Sequence, residues 1–275
     1  MLTEAHRDRI EVVLVSPRNP LNIGAAARAM ANFGFSRLTL VAPYEPHWRE
    51  ARSAVGADAL LQNAKVSTTL AEAVADCTLV VGTGTATRRK AEQPVIALPA
   101  LAPLVGYELD RGGRVALVFG PEKHGLTRED LSYCHRLVAI PTDARQPSMN
   151  LGQAVAVFLY ELAVRMHAPG SADESAPAPA GTAGETGSRQ SAPAGLTSGH
   201  LELLAGAIEN VMLAANYSPP SMRRANRHDL RLLLRRLALT QRDARRILGF
   251  FRRVYKQLQP GEPPPKGERV NTEKC

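Results

Sequence analysis

No apolar run in this sequence approaches the ~18–20 residues needed to cross a bilayer, so the chain reads as a non-membrane protein. Its first residues, Met1-Leu2-Thr3-Glu4-Ala5-His6-Arg7-Asp8, carry no apolar stretch of a secretory signal, and the expected location is the cytoplasm. Cysteine is scarce. Cys77, Cys134 and Cys275 stand far apart, in neither disulfide nor zinc spacing, and read as free thiols of a reducing compartment. The seven histidines are dispersed, and no His/Cys/Asp/Glu cluster has convincing ligand spacing, so no metal is expected. Aromatic residues make up 5% of the chain and form no cluster of the kind RNA-recognition sheets use to stack bases. No Gly-x-Ser-x-Gly turn anchors a hydrolase triad. Neither a Gly-x-Gly-x-x-Gly turn after the first strand nor a Walker Lys-Ser/Thr ending is present, which counts against Rossmann oxidoreductases and P-loop enzymes. No internal repeat appears.

Positive charge is present, and it is unevenly placed. The 275 residues carry a net charge of +8. Residues 1–199 hold 19 basic and 19 acidic side chains, whereas residues 200–275 hold 15 basic and 7 acidic ones. All the excess lies in the last quarter of the chain. That asymmetry is what a polyanion partner, nucleic acid or anionic membrane, would require, although a merely solvated basic surface would look the same.

Composition divides the chain into blocks. Residues 1–166 alternate short apolar, β-branched runs at 10–16, 37–41, 78–82, 115–119 and 136–140 with helical patterns at 23–33, 51–57, 70–75, 128–133 and 151–166. Alternating strands and helices predict an α/β fold with a mostly parallel sheet covered on both faces. Residues 167–199 are rich in Ala, Pro, Gly and Ser and read as a flexible linker. Residues 200–259 form a small basic helical module. Its first helix is marked by Leu201, Leu204, Ile208 and Val211. A second spans 224–239, with Leu230, Leu233, Leu234 and Leu237 on an apolar face and Arg227, Arg231 and Arg235 on basic outer faces. A third opens at Thr240-Gln241-Arg242-Asp243 and carries Ile247, Leu248, Phe251, Val254 and Tyr255. Residues 260–275 are polar and Pro-rich, expected to be disordered.

Four segments could carry chemistry. In the segment from Ser16 to Met30, Asn22 is a candidate helix cap, the run Gly24-Ala25-Ala26-Ala27 leaves a bare helix face, and Arg28 projects a turn later. The bland alternative is a tight helix–sheet contact with a solvated arginine. Phe119-Gly120-Pro121-Glu122-Lys123-His124-Gly125-Leu126 follows a buried strand, and Glu122 falls where open α/β sheets bind ligands, or in an ordinary βα turn. Ile140-Pro141-Thr142 and Gln146-Pro147-Ser148-Met149-Asn150-Leu151-Gly152 lead from a strand to a long helix that Ser148 or Asn150 would cap. Gly82-Thr83-Gly84-Thr85 is a weaker, glycine-rich loop.

Together these motifs resemble the SPOUT superfamily of methyltransferases, in its TrmH-like 2′-O-methyltransferase branch. The resemblance rests on Asn19-Pro20-x-Asn22-Ile23-Gly24-Ala25, Arg28-Ala29-Met30 and Asn32-Phe33-Gly34. Leu117-Val118-Phe119-Gly120-Pro121-Glu122, Gly125-Leu126, Ile140-Pro141 and Ser148-Met149-Asn150-Leu151 follow in the same order. The basic helical module is similar to that of the TrmJ-like group within this branch. The resemblance implies a trefoil knot in the C-terminal part of the α/β domain, a homodimer, and S-adenosyl-L-methionine as cofactor. It implies a tRNA substrate, methylated on the ribose of cytidine or uridine 32 in the anticodon loop. It further implies that Arg28, Asn22, Glu122, Ser148 and Asn150 line the reaction centre. Thr83, Gly84, Thr85, Gly120, Ile140, Pro147, Ser148, Met149 and Leu151 would lie against the cofactor. The alternatives are a ribosomal RNA 2′-O-methyltransferase or a non-catalytic RNA-binding protein on the same fold.

Overall fold

The computed structural model describes residues 2–84, 92–143, 145–167, 195–217 and 219–259. Thr85, Cys275, the tail from 260 and most of the 167–199 stretch lie outside them. The strands are β1 (Ile10–Val15), β2 (Arg37–Val41), β3 (Lys65–Ser67), β4 (Leu79–Thr83), β5 (Val95–Ala97), β6 (Val115–Phe119) and β7 (Arg136–Ala139). The helices of the first block are α1 (Glu4–Arg7), α2 (Pro20–Asn32), α3 (Asp58–Gln62), α4 (Leu70–Ala73), α5 (Leu101–Asp110), α6 (Arg128–Ser132) and α7 (Leu151–His167). Then follow α8 (Ser198–Ala214), α9 (Arg223–Arg236) and α10 (Gln241–Leu258).

Among the described residues the seven strands form one sheet in the order β3-β2-β1-β6-β4-β7-β5, and every pairing is parallel. This is the SPOUT-type architecture expected: a parallel sheet between helices, with a helical region after it. The central strands are buried on both faces, as their uninterrupted apolar runs require. Strand alternation splits them between two cores. Val12, Leu14, Leu117 and Phe119 pack with α2, α5 and α7, while Val13, Val15, Ala116 and Val118 pack beneath α4 and α6. Helices α2 and α7 pack side by side, and Gly152 is the reason they can. A Cβ on Gly152 would lie 2.6 Å from the Ala25 Cβ.

Three expectations are corrected. Residues 51–57 are turns, with Gly56 at φ +75°, and the helix there is Asp58–Gln62. Asn19, not Asn22, caps α2: its side chain accepts from the Leu21 N–H at 2.9 Å, and Pro20 takes the first helical position, where its missing N–H costs nothing. In α9, Leu232 is buried with Leu230 and Leu234, while Leu233 and Leu237 are exposed. Strands β3 and β5 and helix α5 were not expected. The edge strands have three residues each and owe their state to pairing with β2 and β7. Helix α5 holds Pro103 and Gly106 and no side-chain cap, although Leu101, Val105 and Leu109 repeat at helical spacing.

The helical module is docked on the first block. Thr197 caps α8, Leu196 is buried, and the N–H groups of Ser198 and Gly199 donate to the carbonyls of Cys77 and Ala75 at 2.8 and 2.9 Å. Residues 195–199, read as the end of a linker, are therefore packed.

Candidate active site

Parallel strands all point their C-terminal ends to one edge, and the candidate residues gather there. Reading across the sheet, the loop after β1 leads into α2 and Asn22, and the loop after β6 carries Gly120 and Glu122. Thr83 ends β4 and Gly84 follows it, and the segment after β7 runs from Ile140 to Asn150. Each loop is shaped locally. A Cβ on Gly120 would fall 2.2 Å from the Leu126 backbone nitrogen, so only glycine lets the chain curl back. Gly125 closes that curl at φ +63°, donating to the Pro121 carbonyl at 2.8 Å. The Gly84 N–H ties β4 to β7 through the Val138 carbonyl at 3.1 Å.

Three motifs meet in one directed chain of hydrogen bonds. The N–H groups of Gly152 and Gln153, at the start of α7, donate to Asn150 Oδ1 at 2.9 and 3.4 Å. Asn150 is thus the cap of α7. Its Nδ2 donates to Asn22 Oδ1 at 2.8 Å, and Asn22 Nδ2 donates to Glu122 Oε1 at 2.7 Å. The amides are oriented by a helix N-terminus at one end and by a carboxylate at the other. Glu122 keeps its second oxygen outside this chain. Asn22 is separated by 100 positions from Glu122 and by 128 from Asn150, so only the fold unites them.

Other expected residues stand around this chain without joining it. Arg28 is exposed and makes no hydrogen bond or ion pair among the described residues. It lies six residues beyond Asn22 on α2, about 9 Å along the axis and on a different face. Ser148 is exposed, Pro147 and Met149 are half-buried, and no backbone bond among the described residues engages the N–H groups of Ser148 and Met149. Thr83, Gly120 and Ile140 are half-buried and Gly84 is exposed. Leu151 is 4% exposed and belongs to the core, so its side chain is committed to packing. These uncommitted backbone donors and small residues, on three neighbouring strand ends, fit an adenosine-bearing cofactor read largely through backbone groups.

Away from this edge, the basic module differs from its expected form. Arg227, Arg231 and Arg235 do not face outward. Arg235, 3% exposed at its side chain, donates to the carbonyls of Tyr133 and Arg231 at 3.0 and 3.2 Å and to Ser198 Oγ at 3.0 Å. Arg231 and Arg227 pair with Glu202, and Arg227 also with Glu209. The Arg231 guanidinium lies 4.2 Å from the centroid of the Tyr133 ring. On α10, by contrast, Arg242, Arg245, Arg246, Arg252, Arg253 and Lys256 are exposed and unpaired among the described residues.

His228, Glu92 and Asp229 bring donor atoms within 4.8 Å of one another. Arg128 supplies the cation there, at 2.9 Å from Glu92 and 3.9 Å from Asp229. Burial pushes the Glu92 carboxyl up, but hydrogen bonds from His228 and Arg128 outweigh it and hold it below the usual range. Burial, with Arg235 and Arg136 nearby, depresses His135 to about 3, and the neutral ring accepts from the Val80 N–H. Cys77 and Cys134 are buried free thiols raised to about 12 by desolvation.

The chain is similar in sequence and fold to known proteins. The tRNA (cytidine/uridine/adenosine-2′-O-)-methyltransferase TrmJ of Pseudomonas aeruginosa is 45% identical over 156 residues, 56% of this chain, and the match spans 60% of that relative's length. The tRNA (cytidine/uridine-2′-O-)-methyltransferase TrmJ of Cronobacter sakazakii is 36% identical over 217 residues, 77% of this chain and 82% of its own. The crystal structure of TrmJ from Z. mobilis ZM4 superposes with a TM-score of 0.72 at 30% identity, covering 89% of this chain and 98% of that one. Residues 9–160 match the model of the SpoU rRNA methylase family, and the chain belongs to that family.

Proposed function

We propose that this protein is an S-adenosyl-L-methionine-dependent tRNA ribose 2′-O-methyltransferase, acting on cytidine or uridine 32 of the anticodon loop. The observation that carries the reading is the Asn150–Asn22–Glu122 chain, which joins three family motifs at one sheet edge. Relatives named as tRNA 2′-O-methyltransferases support the substrate. S-adenosyl-L-methionine, when bound, supplies an electrophilic sulfonium methyl group. The chain's own residues have to align a ribose 2′-hydroxyl with it and exclude competing geometries. Gly84, Gly120, Ile140, Pro147, Ser148 and Met149 would hold the cofactor, together with Thr83, Thr85 and the Leu151 backbone. Asn22, Glu122 and Asn150 form a preset polar wall beside it. Arg28 offers a guanidinium, a planar fork of hydrogen-bond donors with no acceptor. Its chemistry suits holding a phosphate and stabilising charge that develops on the 2′-oxygen.

The same reading includes a trefoil knot around the cofactor site, a homodimer and a cytoplasmic setting. Exposed Tyr107, Tyr160 and Val164 on the packed pair α5 and α7 support an interface between copies. The domain division proposed is a methyltransferase domain (1–166), a linker (167–199 as read from the sequence, ending before the packed residues 195–199), an RNA-binding module continuing to 259 and a tail (260–275). No helix among the described residues is long and apolar enough to cross a membrane. A second reading, ribosomal RNA as substrate, is favoured by the family's description. Transfer of labelled methyl from S-adenosyl-L-methionine to purified tRNA and ribosomal RNA, with nucleoside analysis, separates the two. Label in a 2′-O-methylated nucleoside from tRNA is expected. Label from ribosomal RNA alone changes the substrate, and cofactor binding without transfer to either RNA would defeat the catalytic reading.

A further inference from the structure

The sheet edge has a side that the site described above does not use. Cofactor candidates occupy the ends of β6, β4 and β7, and the polar chain bridges β1, β6 and α7. Beyond β1 lies β2, and the loops after these two strands are clamped together. Ser16 N–H donates to the Val41 carbonyl at 2.8 Å and Tyr44 N–H to the Pro17 carbonyl at 3.1 Å, while Ala42 N–H ties the end of β2 to the Ser67 carbonyl of β3 at 3.0 Å. Both loops leave their strands through non-glycine residues in the left-handed region, Ser16 at φ 45° and Ala42 at φ 44°. Backbone held in this sparsely populated region persists only where surrounding structure over-determines it, and such positions gather at functional sites. What the clamp presents is an aromatic ring and a cation. Tyr44 is 72% exposed, and the exposed Arg18 guanidinium stands 5.7 Å from its ring centroid. Arg18 directly precedes Asn19, the cap of the helix that carries Asn22.

A ring 72% exposed, on a loop held by backbone hydrogen bonds, buries little of its surface. Together with a guanidinium it offers the two contacts that unpaired RNA takes most readily, a stacking platform and a phosphate partner. We propose that Tyr44 and Arg18 form a subsite for a nucleotide flanking the target ribose, Tyr44 stacking its base and Arg18 holding its phosphate. This rests on the RNA-methylating reading. The subsite lies on the opposite side of the polar chain from the cofactor loops, so the substrate strand enters from the β2 side.

The test uses the full chain and the RNA that accepts label in the transfer assay, comparing wild type with Tyr44→Ala, Tyr44→Phe and Arg18→Ala. Tyr44→Ala should raise KM for RNA roughly 5- to 150-fold, the range that one base–aromatic stack carries, with cofactor affinity and kcat unchanged. Tyr44→Phe should restore KM, because stacking needs only the ring. Arg18→Ala should lower the salt dependence of RNA binding by the equivalent of about one neutralised phosphate. An unchanged KM in Tyr44→Ala, failure of Tyr44→Phe to rescue, or equal loss of cofactor affinity would overturn the subsite while leaving methyl transfer intact. A wild type that methylates no RNA would instead overturn the underlying reading, and the subsite with it.

Discussion

Helices α9 and α10 are neighbours in the chain, both rich in arginine, and they use it oppositely. In α9 the guanidiniums of Arg227, Arg231 and Arg235 turn inward, to Glu202, Glu209 and Ser198 of α8 within the module and, for Arg231 and Arg235, to Tyr133 of the sheet domain. In α10 the cations face outward, with Ile247, Leu248 and Ala244 turned toward α8. Net charge alone cannot make this distinction. A buried, paired arginine is unavailable to a polyanion, whereas an exposed unpaired one releases counterions when it meets a phosphate. The surplus of positive charge that points to RNA is therefore carried mainly by α10, with exposed Arg236 at the end of α9 beside it.

Substitution should break the comparison most sharply at α9. Arg235→Ala would take a cation from Glu202 and leave the Tyr133 carbonyl without its partner, and removing one member of a buried pair costs about 3–5 kcal/mol. Thermal denaturation should show a large drop in Tm, and a fall in RNA affinity without one would reverse the assignment. The complementary variant, Arg252→Ala with Arg253→Ala, should leave stability within about 0.5 kcal/mol. Its RNA affinity should fall, and the slope of log K against log salt should shrink by about 0.7–0.9 for each phosphate no longer neutralised. Such point variants are cleaner than deleting the module, which would uncover Tyr133, Cys134 and Glu92.

Acid should act on the docked face as well. His135 sits near 3 when folded against an ordinary 6.5, so between those values the unfolded chain holds the additional proton. The stabilisation is complete above about pH 6.5 and is lost progressively as pH falls toward 3. Denaturant titrations at about pH 7.5 and about pH 5 should show the decline, and His135→Asn should flatten it. The smallest effect concerns the thiols. Cys77 and Cys134 should resist alkylation in the native state and react only on unfolding, checked by peptide mapping.

Much of this is legible in the chain because the governing patterns are local. The β-branched runs of β1, β2 and β6 and the helical spacing of α7 and α8 appear directly in the residues. What is not legible depends on distant partners. Strands β3 and β5 exist through their neighbours, and the fate of Arg231 and Arg235 depends on Glu202 and Tyr133. Asn22, Glu122 and Asn150 can be nominated from their motifs, but their hydrogen bonds require the sheet order. The Asn-Pro pair at 19–20 is a local signal for the α2 cap, and it outranks Asn22 because proline at the first helical position fixes where the helix starts.

The most direct test of the proposed activity maps methylated ribose by mass spectrometry in tRNA incubated with S-adenosyl-L-methionine and either wild type or Arg28→Ala. Arg28 is exposed and makes no bond to the described fold, so the variant should fold and bind cofactor normally. Wild type should yield 2′-O-methylation at nucleotide 32, and Arg28→Ala should abolish it. Unaltered methylation by the variant would contradict the role given to Arg28, and wild type that binds cofactor but leaves every ribose unmodified would contradict the function itself.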